Sequence, residues 1–96
     1  MKKAVVVVTD SDAMPAFERA LFEVDLGFTV IPRIIGAGRT GLKTGDRVHP
    51  GASSLLFAVV PDERWKPAQA LLRRVRDEAG VAEATRFFTF DAEEFD

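Results

Sequence analysis

The chain has 96 residues, a formal net charge of −2, no cysteine and one histidine. It has room for one core and no disulfide or cysteine–zinc staple, so a chain this short is expected to lean on a partner for stability. The acidic balance argues against the basic face that nucleic-acid binding needs, and no stretch approaches the roughly 20 apolar residues of a membrane span.

Lys3 to Thr9 is a β-branched run and predicts a buried strand. It meets Thr9-Asp10 rather than a small-residue cleavage site, so it is no signal peptide, and a cytoplasmic protein is expected. Ser11 and Asp12 offer N-caps, and Pro15 limits how early the first helix begins. Met14, Phe17, Ala20, Leu21 and Val24 then recur at helical spacing, with Glu18, Arg19 and Glu23 outward. Gly27 is the expected left-handed cap. Phe22 falls off the stripe. Phe28 to Ile35 predicts a second strand, in which Pro32 implies an edge position or a bulge. A Gly-rich loop, 36–52, leads to a third strand, Ser54 to Val60. Pro61-Asp62 opens a second helix with the stripe Trp65, Ala68, Leu72, Val75 and Ala79, and Gly80 stops it. Arg86 to Phe90 is the last strand, and an acidic tail follows. The order β-α-β-β-α-β predicts an α+β, ferredoxin-like sandwich over 1–96 as one domain: a four-stranded antiparallel sheet with two helices on one face.

Two helices cover one face of such a sheet, and the other face is expected to alternate to polar residues. It does not. Ala4, Val6 and Val8 oppose Val5 and Val7, Leu55, Phe57 and Val59 oppose Leu56, Ala58 and Val60, and Phe87 opposes Phe88 and Phe90. A monomer would expose more apolar surface than the few hundred Å2 that soluble monomers tolerate, which predicts a homo-oligomer joined through the open face.

The loop 36–52 is far longer than a hairpin needs and holds Gly36, Gly38, Gly41, Gly45 and Gly51 beside Arg39, Lys43 and Arg47. Gly36 to Gly41 spells GxGxxG, but Gly45 and Pro50-Gly51 forbid the helix that a dinucleotide fingerprint needs next. Leu42 separates Gly41 from Lys43, so the P-loop signature is broken too. Two readings remain open: backbone N–H groups and basic side chains that cradle an anion, or a solvated loop whose glycines give flexibility.

Gly27-Phe28-Thr29-Val30 followed by Gly36-Ala37-Gly38-Arg39 and Gly41 resembles the P-II nitrogen-regulatory proteins. The short loop and His49-Pro50-Gly51 resemble their divergent, PII-like relatives. The resemblance implies a signal-transduction homotrimer of ferredoxin-like subunits with effectors in the clefts between subunits. It makes 36–52 the equivalent of the T-loop, which regulates a partner protein or transporter. It places Thr29 at the adenine of a nucleotide and Gly36 to Arg39 on its phosphate side. With Gly41, Lys43 and Arg47, these are the candidate ligand-binding residues. The chain departs from the nitrogen regulators in three places. The connection Pro61-Asp62-Glu63-Arg64 carries no glycine, the tail is acidic where they are basic, and the loop has no tyrosine. These departures favour AMP or ADP over ATP.

A catalytic reading would need an orienting acid for His49 and Ser53 or Ser54, and none is evident, so no enzyme is expected. The alternative is a divalent-cation trimer resembling CutA, with Asp46 and His49 as ligands that neighbouring subunits would complete. An RNA-binding module of the same strand order would need a basic Gly-Phe motif where Ser54-Leu55-Leu56-Phe57 stands.

Overall fold

A computed structural model describes residues 1–38, 41–43 and 52–96. In chain order it has β1 (Lys2–Asp10), α1 (Met14–Glu23), β2 (Thr29–Ile34), β3 (Gly36–Gly38), β4 (Gly41–Lys43), β5 (Ser53–Val60), α2 (Trp65–Glu78) and β6 (Arg86–Ala92). Four of the strands form a sheet in the order β2-β5-β1-β6 with every neighbour antiparallel. This is the ferredoxin-like arrangement: both helices pack on one face, and the most continuously apolar strands, β1 and β5, take the centre.

The core lies between that sheet face and the helices. Val5, Val7, Leu56, Ala58 and Val60 point from the strands toward Met14, Phe17 and Leu21 of α1 and Ala68, Leu72 and Val75 of α2. Phe17 is fully buried and meets Phe87 edge-on, with ring centroids 6.2 Å apart. The Arg76 guanidinium lies over the Phe87 ring at 5.6 Å and closes the core on that side. Thr9 and Thr85 are polar exceptions, buried at the inner end of β1 and the entry to β6. The Thr85 hydroxyl donates to the Val81 carbonyl at 2.6 Å, so its oxygen is left to accept. The Thr9 hydroxyl, 2.8 Å away, is therefore the donor between them.

Both helices end in the same hydrogen-bond pattern. In α2, Gly80 takes φ 69° while the N–H groups of Val81 and Gly80 donate to the carbonyls of Arg76 and Asp77 at 3.1 and 3.2 Å. In α1 the sequence reading puts the left-handed residue at Gly27, and the structure puts it at Asp25, φ 62°. The Leu26 N–H donates to the Leu21 carbonyl and the Asp25 N–H to that of Phe22, both at 3.0 Å. The position is set by Leu26, which must follow the turn at once to bury itself, and aspartate tolerates the left-handed region better than most residues. Arg64 then donates to the carbonyls of Val24 and Asp25 and ties the end of α1 to the start of α2. The expected caps Ser11 and Asp12 do not cap α1, whose flanking residue is Ala13. The Ser11 hydroxyl is engaged elsewhere, 2.7 Å from that of Ser54. Phe22, unplaced by the stripe, is 77 % exposed.

The other sheet face has no cover among the described residues. Direct cross-strand neighbours line it in rows: Ile31–Leu55–Val8, then Thr29–Phe57–Val6–Phe88, then Val59–Ala4–Phe90. Ile31, Phe57, Phe88 and Phe90 are exposed there. At the lower end of the sheet the end of β6 and the tail after it are tied to β1, with Lys3 bonded to Asp91 and Lys2 to Glu94 at 2.9 Å. The Lys3 ammonium holds the Asp91 carboxyl below its ordinary range, Lys2 does the same for Glu94, and Asp91 in turn raises Lys3.

Removing either hydroxyl of the Thr9–Thr85 chain has unequal consequences. Thr85→Val strands the buried Thr9 donor and the Val81 carbonyl and is expected to cost about 1–3 kcal/mol; Thr9→Val removes only a donor and costs about 1 kcal/mol. Urea unfolding of the two variants checks the order. A second expectation concerns pH. The depressed Asp91 and Glu94 favour the attached tail above the ordinary carboxylate values of about 3.9 and 4.3, and that contribution is lost as pH falls through their lower folded values. Raised Lys3 contributes fully below its ordinary value near 10.4 and loses that contribution only as pH climbs through the raised one. Carboxyl-detected NMR titration is expected to give half-points for both acids below the ordinary values, with the 91–96 amides losing dispersion over the same acidic range.

Candidate functional site

β2 is an edge strand, and its sequence divides it. Thr29, its first residue, is exposed opposite Phe57, and Ile31 follows opposite Leu55. The ladder then breaks: Ile34, three residues on, meets Ser53, two residues back along β5. Pro32 has no N–H to donate, and Arg33 absorbs the extra residue at φ 57°. The sequence reading allows an edge or a bulge at Pro32, and both occur. An L-residue in that region costs on the order of 1 kcal/mol, so the bulge is held by the pairing on either side of it.

Beyond the bulge the chain turns into a second, two-stranded sheet. Gly36 pairs with Lys43, Ala37 with Leu42 and Gly38 with Gly41. This corrects the reading of 36–52 as a loop without regular structure. A run with glycine at every second or third position has low strand propensity, and only the backbone pairing reveals the ribbon. Gly36, Gly38, Gly41 and Lys43 are thus brought together. Arg39, Asp46, Arg47 and His49 lie outside the described residues.

The returning end of this segment is pinned to the sheet. The Ser11 N–H donates to the Ala52 carbonyl at 2.7 Å, the Ser11 and Ser54 hydroxyls meet at 2.7 Å, and Ser53 pairs with Asp10. Sequence reasoning missed this clasp. Its signal was Ser54, a hydroxyl on the inward face that Leu56, Ala58 and Val60 otherwise make apolar.

Thr29 sits at the opposite end of β2. At roughly 3.3 Å per residue, about 20 Å of strand separates it from Gly36. Its surroundings differ as well. Thr29, Gly27 and Phe28 line an open groove of about 550 Å3 with Phe57, Val59, Lys2 and Glu94. The walls are largely apolar, and the cation there, Lys2, is bonded to Glu94. A broader depression beside it, around Met1 and Asp62, is bounded by Glu93, Glu94 and Asp96. Neither surface is built for a phosphate. The groove at Thr29 suits a flat, weakly polar group, and the glycine ribbon is where backbone can approach an anion closely. Among the described residues no group of three His, Cys, Asp or Glu side chains could hold a metal ion. No helix among them is long and apolar enough to cross a membrane.

Neither a family model nor a curated protein matches the sequence. Solved structures do. The chain is similar to CPII, a nitrogen regulatory PII-like protein from Thiomonas intermedia K12 bound to ADP, AMP and bicarbonate: TM-score 0.71 at 16% identity, over 93% of this chain and 83% of that one. It is similar to a DUF3240 family protein from Shewanella baltica OS155 with TM-score 0.73 at 14% identity, covering 99% of this chain and 93% of the other. A protein of Thermus thermophilus, assigned as a PII-like signalling protein, superposes with TM-score 0.62 at 17% identity, over 93% and 84%. The chain has the fold of the PII-like proteins over nearly its whole length.

Proposed function

We propose that the protein is a PII-like signal-transduction component, one domain over 1–96, that works as a cytoplasmic homotrimer rather than as an enzyme. It binds an adenine nucleotide, AMP or ADP, in clefts between subunits and regulates a partner protein or transporter through the segment 36–52, its T-loop equivalent. The observation that carries this reading is the separation of Thr29 from the Gly36–Lys43 ribbon by the length of β2. One ligand cannot meet both within one chain. It can meet both where the base end of one subunit faces the ribbon of the next, and the uncovered apolar face supplies a reason for subunits to associate. The fold shared with CPII, whose structure holds ADP and AMP, supports the same ligand class.

The roles divide along the strand. Thr29 contacts the base. Gly36, Gly38 and Gly41 admit the phosphates to the backbone, and Arg39, Lys43 and Arg47 neutralise them. Arg39 is the leading cation, since a guanidinium grips two oxygens at once.

Calorimetric titration of AMP, ADP and ATP tests the ligand. Arg39→Ala is expected to lose about 1.5–3 kcal/mol of affinity, the usual worth of a charged hydrogen bond, and Thr29→Val to lose preference for adenine over other bases. If the wild type binds none of the three at millimolar concentration, the nucleotide reading is wrong. A cation-induced thermal shift abolished by Asp46→Ala and His49→Ala would then identify a CutA-like divalent-cation trimer. Assembly has its own test. Phe88 is 57 % exposed on the open face, so Phe88→Asp burdens no monomer core. Light scattering at micromolar concentration is expected to give a trimer for the wild type and a folded monomer for Phe88→Asp. A monomeric wild type would sink the intersubunit cleft.

A further inference from the structure

α2 turns a stripe of Trp65, Gln69, Leu72 and Arg73 toward β6, at the sheet edge opposite β2. Between this stripe and Phe87, Phe88 and Thr89 lies a pocket of about 200 Å3. Its floor belongs to the core, because Val5 and Leu72 are each 2% exposed. Its walls are the half-buried rings of Trp65 and Phe87. Phe87 is braced by its T-shaped contact with Phe17 and by the Arg76 guanidinium over its ring.

The polar groups around the pocket are unevenly committed. Thr89 donates its hydroxyl to the Ala4 carbonyl at 3.0 Å and has no proton to spare. Arg74 pairs with Glu78 at 3.8 Å and Arg76 with Asp77 at 2.9 Å. Arg73, the remaining arginine of α2, makes no hydrogen bond or ion pair to any other described residue, and no acid among the described residues lines the pocket. An apolar cavity whose lining includes Arg73, which has no partner among the described residues, suits an amphiphilic anion. A planar carboxylate matches the guanidinium fork. The volume is below the roughly 300–1,000 Å3 of sites for drug-sized ligands, which limits the apolar body to one ring or a short branched chain.

We propose that this pocket is a binding site for a small carboxylic acid, its apolar body against Trp65, Leu72 and Phe87 and its carboxylate on Arg73 with Gln69 beside it. The pocket shares no lining residue with the groove at Thr29.

Trp65 is the only tryptophan of the chain, so its emission reports on the pocket directly. Titrating the full chain with 3-methylbutanoate, and separately with benzoate, is expected to give a saturable blue shift as water leaves the indole. The neutral isostere 3-methyl-1-butanol is expected to bind about tenfold more weakly, the difference a charge-assisted pair supplies at a half-open site. Arg73→Gln, a change at an exposed position, is expected to weaken both acids about tenfold, leave the alcohol unchanged and leave nucleotide titrations unaffected. The proposal is overturned if neither acid gives a saturable change at tens of millimolar, or if Arg73→Gln leaves the acids binding as before. It is also overturned if Trp65 emission without any probe varies with protein concentration and Phe95→Ala abolishes the variation, since the tail of a second copy would then be the occupant.

Discussion

β1 and β5 carry apolar side chains on both faces, and among the described residues two α-helices cover one of those faces. The other features of the subunit follow from how that surplus is arranged. Val5, Val7, Leu56, Ala58 and Val60 meet the helices, and burial at about 25 cal/mol per Å2 makes that side the source of the fold's stability. Val6, Val8, Leu55, Phe57 and Val59 lie in register on the reverse, extended by Ile31 on one side and by Phe88 and Phe90 on the other. A stable protein contact removes roughly 800 Å2 from each partner, and most of its gross gain is consumed by lost freedom.

The same arrangement sets what each edge of the sheet can do. Among the described residues β2 and β6 have strand partners on one side only, and each is adapted differently. β2 is interrupted by Pro32 and the left-handed Arg33, which stops its free edge from being a long, flat template for another strand. β6 is bordered by α2 above and by the tail at its lower end, where Lys2 and Lys3 hold Glu94 and Asp91. The polar chemistry of the molecule is correspondingly peripheral. Inside, the Thr9–Thr85–Val81 chain satisfies its own hydroxyls.

Much of the fold was legible because the signals were local. The β-branched runs, the stripes at Phe17 and Leu72, the stop at Gly80 and the interruption at Pro32 each act within a few residues. Where a reading missed, a distant partner decided the outcome. Ser11 did not cap α1 because Ser54, far along the chain, claimed its hydroxyl. Gly27 did not end α1 because Leu26 had to return to the core, which set the left-handed turn at Asp25, two residues before the glycine. The pairing of Gly36–Gly38 with Gly41–Lys43 escaped notice because its residues read as phosphate-loop material. At the candidate site, residue types were readable and distances were not. Thr29 and Gly36 are seven positions apart, and only an extended β2 turns that short interval into about 20 Å.

The bulge at Pro32 and Arg33 also sets a phase. Side chains along a strand alternate with a period of two, and one extra residue inverts the alternation for everything downstream. Thr29 and Ile31 keep the rhythm of the main sheet, while Ile34 takes the place beside Ser53 that Arg33 would otherwise fill. A cross-strand pair shares a face, so Ile34 stands on the same side as Ile31 although three positions separate them. Deleting one residue at the bulge would let the ladder run on without interruption and keep Ile34 beside Ser53. Deleting two would set the wrong parity against β5 and turn Ile34 to the other face. The length of this segment is thus not a continuous variable: one residue can be lost without changing what the strand presents, and two cannot.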